Sequence, residues 1–367
     1  MARARSFPWK VMVGAGALLG IGAFVAVGPQ GGTAAPLVSP GTSVVTSDGT
    51  SVTPTSRATP VTTLVAESTT SSEPPRGTVV IQGVGDVNFD PEYLPVFAEE
   101  GFQFAFDGLD GVFLDDDLTV INLECPPTDA GAQLDKEFSF RCDPAALPVA
   151  RDNGVDVASL ANNHGQDRGA EGLLDSIANL SEAGIEAVGV GANVAEATKP
   201  ALFEIDGWTV AVLGMGGVLP SDSWLASDDR PGMASGDDID QMAAAVEAAA
   251  GLADLVVVTI HWGVEGVTEP DPDDRARADA MVAAGADVIF GHHPHRLGEL
   301  ELVDGVPVFW TLGNFVWPRL SDAGATTAVG RVIIDPDGGV EACLIPAFIE
   351  TSGRPELRGE PTCEGER

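Results

Sequence analysis

Positive charge is scarce in this 367-residue chain. Lysine occurs only at Lys10, Lys136 and Lys199, and 19 basic residues stand against 55 acidic ones, for a formal net charge of -36. That balance argues against nucleic acid as a partner, because phosphate backbones are held by Lys and Arg. A solvated acidic surface accounts for the charge without a dedicated cation-binding face. Cysteine is scarce as well. Cys125, Cys142, Cys343 and Cys363 form no C-x-x-C pair, so a thiolate metal site is not expected, and no G-x-S-x-G elbow supplies a serine nucleophile. In an exported chain these cysteines permit up to two disulfides, and local pairing would join Cys125 to Cys142 and Cys343 to Cys363. No internal repeat of fixed period occurs.

The N-terminus indicates export. "MARARSFPWK" carries Arg3, Arg5 and Lys10, and an uncharged run from Val11 to Val27 follows. A basic segment before an apolar run is what the export machinery reads, so residues 1–27 are expected to be a signal peptide or an N-terminal membrane anchor. Residues 28–76 are dominated by Thr, Ser, Pro, Gly and Val without a long period, the composition of a disordered linker. A catalytic-sized domain over residues 77–350 and a C-terminal tail over 351–367 complete the expected organisation, placed outside the cytoplasm, membrane-anchored or secreted.

One pattern recurs through that domain. "TVVIQGVGDVNF", "LTVINLECPP", "GVDVASLANNHGQDRG", "ADLVVVTIHWGVE" and "ADVIFGHHPH" are each a short run rich in Val and Ile that ends in Asp, Glu, Asn or His. Length and branching make each run a buried strand. Helical patterns at 169–184, 237–252 and 273–286 lie between them, which means an α/β fold. Asp206-Gly207, Asp304-Gly305 and Asp337-Gly338 mark hairpins, so antiparallel strands are added and a layered sandwich fits better than a doubly wound sheet.

All five histidines, His164, His261, His292, His293 and His295, fall in those strand-end segments. Ligands of open α/β sheets bind beyond the carboxyl ends of the strands. Imidazole with carboxylate and amide oxygen is the ligand set of Zn, Mn or Fe. His293 and His295 would face one way on an extended segment stiffened by Pro294, with His292 pointing elsewhere. Taken singly, Asp86 reads as a turn or cap, Glu124 as a solvated loop residue, Asn162-Asn163 as turn chemistry and His261 as a core histidine. Taken together they read as one divalent-metal site. Trp310 and Trp317 read as core packing.

"GVGDVNF", "INLECPPT", "LANNHGQDRG", "IHWGVE", "GHHPH" and "TLGNF", spread over residues 79–317, resemble in order and style the CapA family of poly-gamma-glutamate capsule biosynthesis proteins, similar in turn to calcineurin-like metallophosphoesterases. The resemblance implies a four-layer α/β/β/α sandwich of the metallo-dependent phosphatase type, with one or two divalent ions at a sheet edge. It implies Asp86, Glu124, Asn163, His261, His293 and His295 as metal ligands and His164 as the catalytic acid. Asn88, Asn162, Asp167, Glu265, His292 and Asn314 are supporting groups or further possible ligands. The superfamily's Asp-x-His stands here as Asp86-Val87-Asn88, so one ion would lose an imidazole. Expected partners are an anionic polymer or phosphoester substrate and membrane-bound capsule synthesis proteins. Three readings stay open: a metal-dependent hydrolase in capsule synthesis, export or anchoring; a non-catalytic, metal-dependent polymer-binding assembly protein; and a secreted metallophosphoesterase or nucleotidase unrelated to capsule.

Overall fold

The computed structural model describes residues 75–366. The expected leader, and the linker before residue 75, lie outside them. No helix among the described residues is long and apolar enough to cross a membrane.

In chain order the strands are β1 (Val79–Val87), β2 (Leu118–Leu123), β3 (Val155–Ser159), β4 (Glu186–Val188), β5 (Val190–Gly191), β6 (Ala201–Ile205), β7 (Trp208–Gly216), β8 (Gly232–Met233), β9 (Leu255–His261), β10 (Val288–His292), β11 (Leu300–Val303), β12 (Val306–Phe309), β13 (Asn314–Val316), β14 (Thr326–Ile334), β15 (Val340–Thr351), β16 (Arg354–Leu357) and β17 (Thr362–Glu366). A nine-stranded sheet runs β16-β15-β14-β1-β2-β3-β4, with β13 beside β1 and β17 beside β15; a six-stranded sheet runs β11-β12-β10-β9-β7-β6. β1 to β4 are parallel to one another, and so are β7, β9, β10 and β12.

Strand alternation sorts the apolar side chains into layers. On β9, Leu255 and Val257 join a core shared by the two sheets, with Val79, Val120, Val210, Val288 and Val332. Val256, Val258 and Ile260 point the other way, onto helices Ile239–Ala250 and Pro272–Ala284. The larger sheet buries its outer face against helices Ala146–Asp152 and Gly169–Ala183 through Leu147, Ala150, Leu173 and Leu180. Helix, sheet, sheet and helix therefore stack as an α/β/β/α sandwich. The Asp-rich helix start is a capping box, in which Asp271 accepts from the Asp274 amide and the Asp274 side chain accepts from the Asp271 amide. Asp206-Gly207 and Asp304-Gly305 make the expected tight hairpins, with positive φ at both residues of each pair.

The two sheets approach closely where Gly83 of β1 pairs with Gly330 of β14. Across the gap lie the stacked rings of Phe290 and Phe309, 5.1 Å apart. A Cβ at Gly83 would stand 2.5 Å from the Phe290 ring.

The domain does not stop at residue 350. β15 runs through that boundary, and β16 and β17 both pair with it, so residues expected to form a tail complete the larger sheet. Short strands of mixed polarity hide in such a segment, and here the Cys343–Cys363 disulfide fastens β17 to β15. Because overfilled cores lose stability, Gly83→Val is expected to destabilise the fold by about 1–3 kcal/mol. Urea unfolding followed by far-ultraviolet circular dichroism measures this, and an unchanged midpoint would mean that the sheets separate freely there.

Candidate metal centre

A bulge aims the first carboxylate. Gly83 is registered with Val120 but Asp86 with Asn122, so β1 carries one extra residue between them. Bulges re-aim side chains. Val84 and Val87 both pack towards the helices, which leaves Asp86 on the inter-sheet side with Asn122 and Glu124. From the other sheet, β9 ends at His261 and β10 at His292, paired side by side.

The segment after β10 is not extended, contrary to the sequence reading. His293 and His295 have φ of 96° and 53°, left-handed conformations that cost non-glycine residues about 1–3 kcal/mol each and cluster at functional sites. This turn brings His295 Nδ1 to 2.9 Å from Asp86 Oδ2 and leaves the His293 ring 4.8 Å from the His261 ring. Nor does His292 point away: its Nδ1 lies 3.8 Å from Asp86 Oδ1, while its Nε2 is 3.0 Å from Thr259 Oγ1.

Glu124 stands at the centre of the cluster. Its Oε1 is 3.6 Å from His261 Nε2 and 3.9 Å from His295 Nε2. Two trios with ligand atoms within 4.8 Å share it, Asp86-Glu124-His295 and Glu124-His261-His293; a third joins Glu265 to His293 and His295. Asn163 Oδ1 adjoins the second trio, 3.1 Å from His261 Nε2.

Burial and mutual proximity set the charges. Burial, then the Asp86 carboxylate, pushes the Glu124 carboxyl well above the carboxylate range. Burial works in the same direction on Asp86, but His295, His292 and Asn122 together outweigh it and hold Asp86 low. Burial and the imidazoles of His293, His292 and His295 hold His261 well below the usual histidine range. His292 and His293 are pushed down to about 4, chiefly by burial. Burial also opposes charge on His295, yet Glu124 and Asp86 outweigh it and raise that ring to about 9.

The donor set fits a divalent ion. Both Glu124 carboxyl oxygens and the Nδ1 atoms of His292 and His293 are buried without hydrogen-bond partners, while Asp86 Oδ2 and His295 Nδ1 have only each other. Such a concentration of unsatisfied oxygen and imidazole donors is costly unless a cation satisfies it. The Glu341-Cys343-Cys363 group is a different matter, since its cysteines are joined as a disulfide.

Other expected residues brace the centre. Asn88 Oδ1 accepts from the Asp90 amide at 2.8 Å and its Nδ2 donates to the Glu124 carbonyl at 3.4 Å, so it shapes the loop instead of facing the trios. Asn162 Nδ2 donates to Asn122 Oδ1 and to the Leu123 carbonyl. Asn314 Nδ2 donates to the Gly324 carbonyl at 2.9 Å and lies 3.4 Å from the His295 carbonyl. His164 Nδ1 is 2.8 Å from Asp167 Oδ2, and Asp167 also accepts from the Phe140 amide. Burial lowers the His164 pKa, with Asp167 opposing.

Three participants escaped the sequence reading. Asn122 donates to Asp86 Oδ1 at 2.8 Å. Lys136 reaches Asp167 Oδ1 at 2.5 Å and the Asn163 carbonyl at 2.6 Å from a loop tied by the Cys125–Cys142 disulfide. Its rarity in so lysine-poor a chain was the available signal. Trp317, expected only to pack, stacks on the His295 ring at 4.9 Å, whereas Trp310 does pack, against Trp262.

The carboxylate and imidazole cluster at the seam of a two-sheet sandwich is a candidate divalent-metal centre. The family described as bacterial capsule synthesis protein PGA_cap matches residues 80–319, and the chain belongs to that family. The PGA biosynthesis protein CapA of Bacillus subtilis (strain 168) is 32% identical over 247 residues, 65% of this chain and 64% of that protein. The capsule biosynthesis protein CapA of Bacillus anthracis is 35% identical over 198 residues, 52% of this chain and 48% of that one. A probable polyglutamine synthesis accessory protein of Mycobacterium tuberculosis (strain ATCC 25618 / H37Rv) is 34% identical over 210 residues, 54% and 55% of the two chains. The chain thus spans about half to two thirds of the length of these relatives. Among solved structures, the NAD nucleotidase of Haemophilus influenzae aligns at a TM-score of 0.46 and 12% identity, covering 79% of this chain and 54% of that one.

Metal uptake must displace the proton that His295 holds at neutral pH. Calorimetric titration of the metal-free protein with Mn or Zn at pH 7 is expected to release about one proton or more per protein, read from the dependence of apparent enthalpy on buffer ionisation heat. Affinity then falls as pH is lowered. An enthalpy independent of buffer would contradict the protonation described above.

Proposed function

We propose that the chain is a metal-dependent hydrolase of the phosphoesterase type that acts in the synthesis, export or anchoring of a capsule polymer outside the cytoplasm. The observation that carries this reading is the pair of donor trios sharing Glu124 at the sheet edge. Membership of a bacterial capsule synthesis family, and the PGA and capsule biosynthesis proteins of Bacillus among the relatives, support the capsule assignment. The basic and apolar N-terminal segment supports a cell-surface location.

Asp86, Glu124, Asn163, His261, His293 and His295 would hold one or two ions. A divalent cation so held supplies Lewis-acid polarisation of a phosphoryl or acyl oxygen and of water. The chain's own residues provide the rest. His164 lines the cavity beside the centre, and the short contact of its Nδ1 with Asp167 assigns the Nδ1 proton to that side. Its Nε2 is then the atom available to pass a proton to a leaving oxygen. Asp167 stabilises the charged ring during that transfer, and Lys136 holds Asp167 in place. Phe140 packs on the His164 ring at 4.3 Å and limits water at that face.

Elemental analysis of the purified protein, paired with turnover of an aryl phosphodiester, tests the reading directly. Wild-type protein is expected to carry about one to two equivalents of Mn, Zn or Fe, as carboxylate and imidazole sites do, and His293→Ala to lose both metal and turnover. Bound metal without turnover on any phosphoester or amide would favour the assembly role instead.

A second measurement separates the acid from the ligands. His164→Ala is expected to cost about 10²–10⁴-fold in kcat/KM on an alkyl phosphodiester and far less on a nitrophenyl one, whose leaving group needs no proton. Because the His164 pKa is lowered, the alkyl reaction should slow as pH rises through a value below the usual histidine range. Equal losses on both substrates would assign His164 another role.

A further inference from the structure

The cavity beside the centre has two unlike walls. It measures about 350 Å³, at the small end of the range for ligand sites. Tyr93, Phe140, Trp317 and Leu320 form the apolar wall, and Arg296 lies on the polar side with Asn314 and Ser321. His164, His295 and Glu265 line the same space, so it opens directly onto the proposed centre.

Arg296 differs from most cations among the described residues. Arg76, Lys136, Arg141, Arg151, Arg275, Arg277, Arg319, Arg354 and Arg358 each pair with a carboxylate. No such pair involves Arg296 among the described residues, although acidic residues outnumber basic ones 55 to 19. Its guanidinium is nevertheless held in place. Nη1 donates to the His295 carbonyl at 2.7 Å, and Gly324 makes room for it, since a Cβ there would stand 3.1 Å from Nη1. One end of the fork is anchored to the backbone of a proposed metal ligand, and the remaining N–H groups are free to serve a ligand.

We propose that Arg296 forms an anion subsite, binding a carboxylate or phosphate of the molecule whose reacting group lies at the metal centre, with the apolar part of that molecule against Trp317 and Tyr93. The inference rests on the hydrolase reading and adds a specificity residue to it. A planar fork suits either oxyanion in bidentate geometry. In a chain so acidic, a fixed cation beside the centre also opposes the repulsion an anionic substrate meets on approach.

The test uses the metal-loaded protein and three probes of equal chain length: glutarate, 4-phosphonobutanoate and 4-carbamoylbutanoate, which keeps one carboxylate. Dissociation constants are measured by calorimetry for wild type, Arg296→Met and Arg296→Lys, with circular dichroism melting to verify folding. Arg296→Met is expected to weaken a doubly anionic probe about tenfold or more while leaving 4-carbamoylbutanoate unchanged, the size of one lost charged hydrogen bond. Arg296→Lys should restore part of the loss. A loss confined to glutarate identifies a carboxylate as the preferred group, and one confined to 4-phosphonobutanoate identifies a phosphate. Equal weakening of all three probes, or of none, overturns the subsite while metal content stays intact. A wild type that takes up no metal overturns the centre and the subsite with it.

Discussion

Everything at the sheet edge depends on what it costs to strip water from the carboxyl groups of Asp86 and Glu124 at one point between two sheets. Both are fully buried. Two such groups cannot both remain charged in a dry seam without nearby positive charge. The metal-free chain resolves this by moving protons: His295 is charged, Asp86 is ionised beside it, and Glu124 is driven towards its neutral form. A divalent ion would resolve the same conflict with a stronger charge and would satisfy the buried donor atoms that lack hydrogen-bond partners. The centre is thus poised between two ways of neutralising one buried pair.

The sandwich supplies the geometry that this conflict requires. Parallel strands from both sheets deliver their ends to one seam, and small residues at Gly83 and Gly330 let the sheets approach around Phe290 and Phe309. Were the sheets further apart, Asp86 and His295 would belong to different surfaces.

Much of the frame was legible in the sequence because its signals are local. Val- and Ile-rich runs, helix starts rich in Asp and the Asp-Gly hairpins each declare themselves within a few residues. The candidate ligands were legible because all five histidines sit at strand ends. What escaped depends on distant pairing. The bulge in β1 exists only relative to the register of β2. The left-handed turn at His293 and His295 answers to Asp86, far away in sequence. Lys136 meets Asp167 only because a disulfide-tied loop folds back, and β16 and β17 are strands because β15 is there to receive them.

The Cys125–Cys142 link has one more consequence. It begins one residue after Glu124 and closes the loop that carries Lys136 and Phe140 to His164. Neither of its cysteines lies in a strand of the two sheets, so opening this one link would untie the cavity wall and leave every strand pairing in place. The surroundings of His164 and the pairing of the sheets are thereby fastened by different bonds.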